Sequence, residues 1–321
     1  MRILITGGAG FLGSHLSEAW LDRGDEVTVL DLAPDLKVLH LRSNPRFRMI
    51  RESVLNREIL EGLVAWADLV YHLAAVVGVE HYVGDPYQVL TVNINGTQEV
   101  LTAAFRHQKK VIFSSTSEVY GRSTAVPFDE EGDRVLGSTR IDRWCYSTSK
   151  AVGEHFCFAY HKLGMPVTVV RFFNIYGPRL DRVDVGRLFT IFMGQLLRGA
   201  DLTVIGDGAQ TRCFTYVTDA VAATMQAGLN PSADGQAINI GVDVETSVLE
   251  FAKLMLELYG PTKSKIKFVS QEEVYGNSYE DIPRRVPDNT RMRKLLGVEA
   301  KVSLREGTRM SMEWFRKEAQ L

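Results

Sequence analysis

An α/β architecture, a doubly wound parallel sheet joined to a smaller C-terminal part, is what this 321-residue chain predicts. Three observations lead there. Short, nearly continuous apolar runs alternate with helical patterns up to Phe172, as in strands covered by helices on both faces. The first run passes directly into a glycine cluster, Gly7-Gly8-Ala9-Gly10-Phe11-Leu12-Gly13, set between a strand and a helix. Beyond Phe172 the elements shorten, with turn signals at Gly177-Pro178, Gly206-Asp207-Gly208 and Asn230-Pro231.

The first strand is read over Arg2–Thr6 and the first helix over Ser14–Arg23, ending at Gly24. Between them, Gly7 permits a tight turn, Gly10 lets backbone approach a phosphate, and Gly13 lets the helix pack closely on the strand. Gly8 adds the G-x-G-x-x-G spacing, and free N–H groups at the helix start face an anion. The pattern predicts a Rossmann-like dinucleotide site, with Phe11 and Leu12 completing its turn. The second strand, Glu26–Leu30, delivers Asp31 where an acid takes the adenosine ribose 2′-OH. A 2′-phosphate there would be repelled, and no arginine directly follows Asp31, so the expected cofactor is NAD rather than NADP. Further strands are expected at Phe47–Ile50, Leu69–Leu73, Lys110–Ser115, Val167–Phe172 and Ala237–Gly241, and long helices at Asn93–His107 and Tyr146–Leu163. Residues 1–173 are therefore read as the dinucleotide-binding domain, to which 237–241 returns, and 174–321 mainly as the substrate-binding domain.

A formal net charge of −2 supplies no field for nucleic acid or anionic membrane. With neither an N-terminal targeting pattern nor an apolar run of spanning length, a cytoplasmic location is expected. Cys145, Cys157 and Cys213 are odd in number and widely spaced, which suggests neither a disulfide framework nor a metal site; Cys145 is read as a buried small hydrophobe.

The chemistry is concentrated in Tyr146 and Lys150, an i, i+4 pair that a helix places on one face. It follows a strand whose end carries Ser114, Ser115, Thr116, Ser117 and Glu118. A phenol with a pKa near ~10 is a poor base at neutral pH, and a neighbouring ammonium favours the phenolate. Lys150 can supply that charge and bind the nicotinamide ribose, while Thr116 hydrogen-bonds the same substrate hydroxyl as Tyr146.

Taken together, TGGAGFLGSH, Asp31, YHLAA (71–75), SSTSEVYG (114–121), RWCYSTSK (143–150), RFFNIYGPR (171–179) and GDGAQTRCFTYVTD (206–219) resemble the extended short-chain dehydrogenase/reductase family acting on nucleotide sugars. The resemblance implies tightly held NAD, oxidation of a sugar C4 hydroxyl, chemistry on the 4-ketone and, usually, return of the hydride. It also implies a homodimer through a four-helix bundle made by the two long helices. On these motifs Leu73, Ala74, Ala75, Asn93 and Ser114 join the cofactor contacts. After the third strand, Glu52-Ser53-Val54 replaces the family's usual acid-plus-apolar adenine contact; Ser53 can still accept a hydrogen bond.

The branch of the family turns on Thr116-Ser117-Glu118. The 4,6-dehydratases carry Asp at the middle position, and 4-epimerases usually carry small or uncharged residues at the last two. Thr-Ser-Glu is similar to the UDP-glucuronate decarboxylases, as are the stretches 128–150 and 275–291. That similarity implies that Ser117 and Glu118 face the sugar, with Glu118 positioning it or a proton-donating water at C5. Arg285, in R-x-P-D, resembles the arginine near the substrate phosphates or carboxylate; Arg212 is the other candidate phosphate clamp, and Asn174 a candidate sugar or diphosphate contact. The expected activity is NAD-dependent decarboxylation of UDP-glucuronate through a 4-keto intermediate, giving UDP-xylose or the UDP-4-keto-pentose. The alternative is a 4-epimerase of UDP-glucuronate or UDP-glucose. A non-catalytic NAD-binding scaffold is disfavoured, because Thr116, Tyr146 and Lys150 are all present.

Overall fold

Valine, isoleucine and aromatic residues fill the short apolar runs, which suits strands buried on both faces. In the computed structural model, which describes residues 1–270, 272–273 and 282–319, they are Arg2–Thr6 (β1), Glu26–Leu30 (β2), Phe47–Ile50 (β3), Leu69–His72 (β4), Lys110–Thr116 (β5) and Val167–Phe172 (β6). Four short strands follow, Ile175–Tyr176 (β7), Leu202–Ile205 (β8), Thr211–Arg212 (β9) and Thr215–Tyr216 (β10), before Ala237–Ile240 (β11) rejoins the main sheet. Seven strands pair in the order β11-β6-β5-β4-β1-β2-β3, all parallel. The register sets Thr6 beside Leu30 and His72, and Phe172 beside Thr116 and Ile240, so the carboxyl ends form one edge. Strand order reverses between β1 and β4, which opens a crevice at that edge.

Alternate strand residues supply two cores. Ile3, Ile5, Tyr71, Ile112, Val170 and Ile238 pack on one face; Leu4, Val70, Val111, Phe113 and Val169 pack on the other. The first face is covered by Phe11–Asp22 (α1), and the second by Arg57–Trp66 (α2), Pro86–Arg106 (α4) and Arg143–Lys162 (α5), with Val79–Gly84 (α3) short and near the site. Helix α4 begins seven residues before the predicted Asn93. Asp85 accepts a hydrogen bond from the Gln88 amide at 2.9 Å and Pro86 occupies the first turn, a start signal hidden by the strand-like Val89-Leu90-Thr91-Val92. Helix α5 likewise starts at Arg143 rather than Tyr146, and α1 at Phe11, so the glycine loop itself runs into the helix.

The later residues pack a smaller assembly against the carboxyl edge. Thr246–Ser247 (β12) pairs with β9 and Ile266–Val269 (β13) with β8, while Leu188–Leu197 (α6) packs on Val248–Tyr259 (α8) around Phe189, Phe214 and Phe251, and Val217–Leu229 (α7) lies beside α1 on the first face of the main sheet. An isolated parallel bridge between Phe128 and Pro287 joins the segment carrying Arg285 to the loop between β5 and α5. Of the stretch 275–291 singled out above, residues 275–281 lie outside the described residues. No described helix is long and apolar enough to cross a membrane.

Candidate active site

Missing side chains shape the cofactor end of the crevice. Gly7 sits at φ +74°, and a Cβ there would fall 2.5 Å from the Ala74 amide nitrogen. A Cβ on Gly13 would meet the Gly7 carbonyl at the same 2.5 Å, so helix and loop close on each other only with glycine at both positions. No side chain caps the start of α1 after Gly10, and its first turn carries no acid, which leaves its amides available to a diphosphate. Asp31 receives hydrogen bonds from the Ala9 and Ala33 amides, both at 2.9 Å, which fixes its half-buried carboxylate beside the glycine loop. Leu73, Ala74 and Ala75 continue β4 across the crevice. This narrow, backbone-lined cradle with an acid at the second strand fits NAD.

Thr116 ends β5, and its hydroxyl accepts the Glu118 amide at 3.2 Å. It also faces the Tyr146 side chain closely enough to act on its pKa. Tyr82 of α3 stacks on the Tyr146 ring, 5.9 Å away at an interplanar angle of 21°. The sequence expectation for the phenol does not hold for the protein alone: burial, and then the Glu118 charge, push the Tyr146 pKa up. Lys150 is itself buried, which lowers its pKa to about 8, and its Nζ donates to the Ser114 carbonyl at 2.8 Å. One of its three N–H groups is thus held by the end of β5.

Glu118 has the most distinctive surroundings. Nη2 of Arg143 donates to both of its oxygens at 3.1 Å, and Nη2 of Arg285 to Oε1 at 2.5 Å. Burial opposes ionisation, yet Arg285 and Arg143, with a further contribution from Arg212, hold the carboxyl at about 2. Nε of Arg285, itself buried, has no hydrogen-bond partner among the described residues. The partnerless Nε of Arg285 beside Glu118 is a donor that an anionic or polar group of a substrate can complete.

Other expected site residues are placed less directly. Arg212 donates from Nη1 to the Thr211 and Ile282 carbonyls at 2.7 and 2.9 Å while facing Glu118 closely enough to act on its pKa. Asn174 adopts φ +37° after β6, its amide 3.5 Å from the Cys213 carbonyl. Ser117 is buried beneath the turn. Asn93 binds the Val76 amide and carbonyl and the Ser149 hydroxyl, so its side chain braces the loop after β4. Ser53 spends its hydroxyl on the Leu55 amide at 3.1 Å, and Val54 is buried against Gly96. Cys145 is half-buried rather than buried, and burial raises its thiol to about 11. Two residues went unassigned in the sequence reading. Arg143 stands in the RWCYSTSK motif, where the buried arginine just before the tyrosine was the available signal; Tyr82 had none.

The sequence model of the NAD dependent epimerase/dehydratase family matches residues 3–241. The chain belongs to this family. Like other extended short-chain dehydrogenase/reductases, it is an NAD-dependent enzyme. It is similar to the UDP-N-acetyl-alpha-D-glucosaminuronate decarboxylase of Bacillus cytotoxicus, 42% identical over 316 residues and covering 98% of both chains. It is also similar to UDP-glucuronic acid decarboxylase 1 of Xenopus tropicalis, 38% identical, covering 99% of this chain and 72% of that one. Among solved structures, the UDP-glucuronic acid 4-epimerase of Bacillus cereus in complex with UDP-glucuronic acid and NAD superposes with a TM-score of 0.86. It is 32% identical, and the match covers 99% of this family member and 100% of the epimerase.

Proposed function

We propose that this enzyme decarboxylates a UDP-hexuronate through a 4-keto intermediate. The observation that carries the reading is Glu118 held ionised between Arg143 and Arg285, with a buried Nε on Arg285 left to meet a C6 carboxylate. The sugar is UDP-glucuronate or its 2-acetamido counterpart, and the higher identity to the Bacillus cytotoxicus enzyme favours testing the latter beside the former.

Bound NAD supplies the hydride acceptor; the rest is done by this chain. Tyr146 takes the proton of the C4 hydroxyl, with Thr116 facing it and Lys150 held at the end of β5. The resulting C4 ketone lies β to the C6 carboxylate. The C5–C6 bond then breaks, its electron pair passes to the C4 oxygen as an enolate, and CO2 leaves. Arg285 orients the departing carboxylate before cleavage, and Glu118 places the sugar or a water that protonates C5. Reduction at C4, with Tyr146 returning its proton, gives the UDP-pentose; release before that step gives the 4-keto-pentose.

Residues 1–173 with 237–241 carry the cofactor in this reading, and 174–321 mainly the nucleotide sugar, with Asn174 and Arg212 among its contacts. Helices α4 and α5, side by side on one face of the sheet, are the expected homodimer contact, and the cytoplasm the expected compartment. Incubation of the NAD-loaded enzyme with each UDP-hexuronate, followed by NMR and CO2 detection, tests the activity. Release of CO2 with a UDP-pentose or its 4-keto form supports it. Conversion of UDP-glucuronate to UDP-galacturonate with the carboxylate retained would replace it with 4-epimerisation.

A further inference from the structure

Glu118 and Arg285 are 167 residues apart in the chain, yet their side chains meet. Each sits on a short segment with little of its own to fix it. Glu118 lies in the turn Ser117–Tyr120, and Arg285 in an extended stretch held to Phe128 by the bonds Phe128 N–H to Val286 O (2.7 Å) and Asp288 N–H to Phe128 O (3.0 Å). One buried carboxamide in β11 ties the two together. Oδ1 of Asn239 accepts from the Tyr120 hydroxyl at 2.7 Å, and Nδ2 donates to the carbonyls of Phe128 and Asp288 at 2.8 and 3.1 Å.

The direction of these bonds is fixed by what each partner can do. Arg171 Nη1 donates to the Tyr120 oxygen at 2.9 Å, so the proton of that hydroxyl is free to go to Asn239. Both carbonyls only accept, so they must face the amide nitrogen. Arg171 is anchored in turn by Glu154, which receives its Nε and Nη2 at 2.9 and 2.6 Å. A chain of donors therefore runs from the sheet interior through the Glu118 turn to the Arg285 segment. Among the described residues, Asn239 bonds Tyr120, Phe128, Asp288 and Glu130 rather than Thr116, Tyr146 or Lys150, whose positions come from β5 and α5.

We propose that Asn239 is a positioning residue that sets the Glu118–Arg285 geometry, and through it the handling of the C6 carboxylate, independently of oxidation at C4. The consequence for CO2 release rests on the decarboxylase reading; the consequence for carboxylate binding does not.

The test compares wild type with Asn239→Ala and Tyr120→Phe, the second removing only the hydroxyl between the Glu118 turn and Asn239. NAD-loaded protein is given UDP-glucuronate or its 2-acetamido counterpart, and NADH appearance and CO2 release are followed separately. Asn239→Ala is expected to slow CO2 release about 10-fold or more while NADH appearance changes by less than about 3-fold, and Tyr120→Phe to shift the same ratio by a smaller factor. In a second arm, each change is combined with Tyr146→Phe to block turnover, and calorimetry compares the affinity for UDP-glucuronate with that for UDP-glucose. The preference for the uronate is expected to fall in both variants. A wild type that releases no CO2 from UDP-glucuronate or from its 2-acetamido counterpart would defeat the decarboxylase reading and leave this binding arm to decide. Parallel loss of NADH and CO2, or an unchanged uronate preference, would overturn the proposal; if Asn239→Ala does not fold, Tyr120→Phe decides by the same two measurements.

Discussion

Two carboxylates flank the end of β5, Glu154 buried and Glu118 half-buried, and they differ in how completely their partners are used. Glu154 receives a side-on pair of bonds from Arg171 and a third from Ser115 at 2.5 Å, while Arg171 spends its remaining donor nitrogen on Tyr120 and the Glu130 carbonyl. Every nitrogen of that arginine donates, through four of its five N–H groups. Glu118 also receives guanidinium bonds, but Arg285 reaches it through one nitrogen and keeps a buried Nε without a partner among the described residues. A closed ion pair repays its desolvation within the protein and serves architecture. An open one leaves binding capacity that a ligand can complete, and Glu118 is the open one.

The largest expected effect is on the closed pair. Arg171→Met leaves the Glu154 charge buried and unpaired, which should cost about 3–5 kcal/mol in urea denaturation. Adding Glu154→Gln should recover more than about 1 kcal/mol of that loss. If Arg171→Met unfolded at the wild-type midpoint, Glu154 would not depend on its partner and the contrast would collapse.

Next comes the open pair, where the effect should fall on rate. Glu118→Gln removes the anion that Arg143 and Arg285 share and should slow CO2 release about 10²–10³-fold, with a much smaller loss in NADH appearance under single-turnover conditions. Equal losses in both signals would place Glu118 in the oxidation step instead.

Arg285→Ala should act on selectivity. Hydrogen bonds to a charged group contribute about 1.5–3 kcal/mol, so the preference in kcat/KM for a C6 carboxylate over a hydroxymethyl should drop by about 10- to 100-fold. An unchanged ratio would mean that the spare Nε serves some other group.

The smallest effect concerns pH. Glu118 is held at about 2, against an ordinary value of 4.5. Because its folded value lies below its unfolded one, the stabilisation from its ion pairs is complete above about pH 4.5 and is lost as pH falls toward 2. The stability difference between wild type and Glu118→Gln should therefore stay flat from neutral pH down to about 5 and shrink below it. A difference that already declines near pH 6 would show that the arginines do not hold the carboxylate as described.

Legibility in the sequence follows the range of the interactions. The glycine loop, Asp31 and the six strands up to Phe172 can be read directly, because turn sterics, backbone approach to phosphate and strand periodicity act within a few residues. The i, i+4 spacing likewise places Tyr146 and Lys150 on one helix face. The start of α4 escaped because Val89-Leu90-Thr91-Val92 favours strand locally, and packing together with the Asp85 cap overrides that preference. The sequence alone thus determined the architecture and the cofactor, both of which rest on local chemistry. Tertiary structure decided which charges meet: that Glu118 lies between Arg143 and Arg285, that Lys150 donates to Ser114, and that Asn239 joins two distant segments. The reason is physical. The energy of a buried ion pair or amide depends on distances set by packing across elements, and a one-dimensional pattern carries no measure of them.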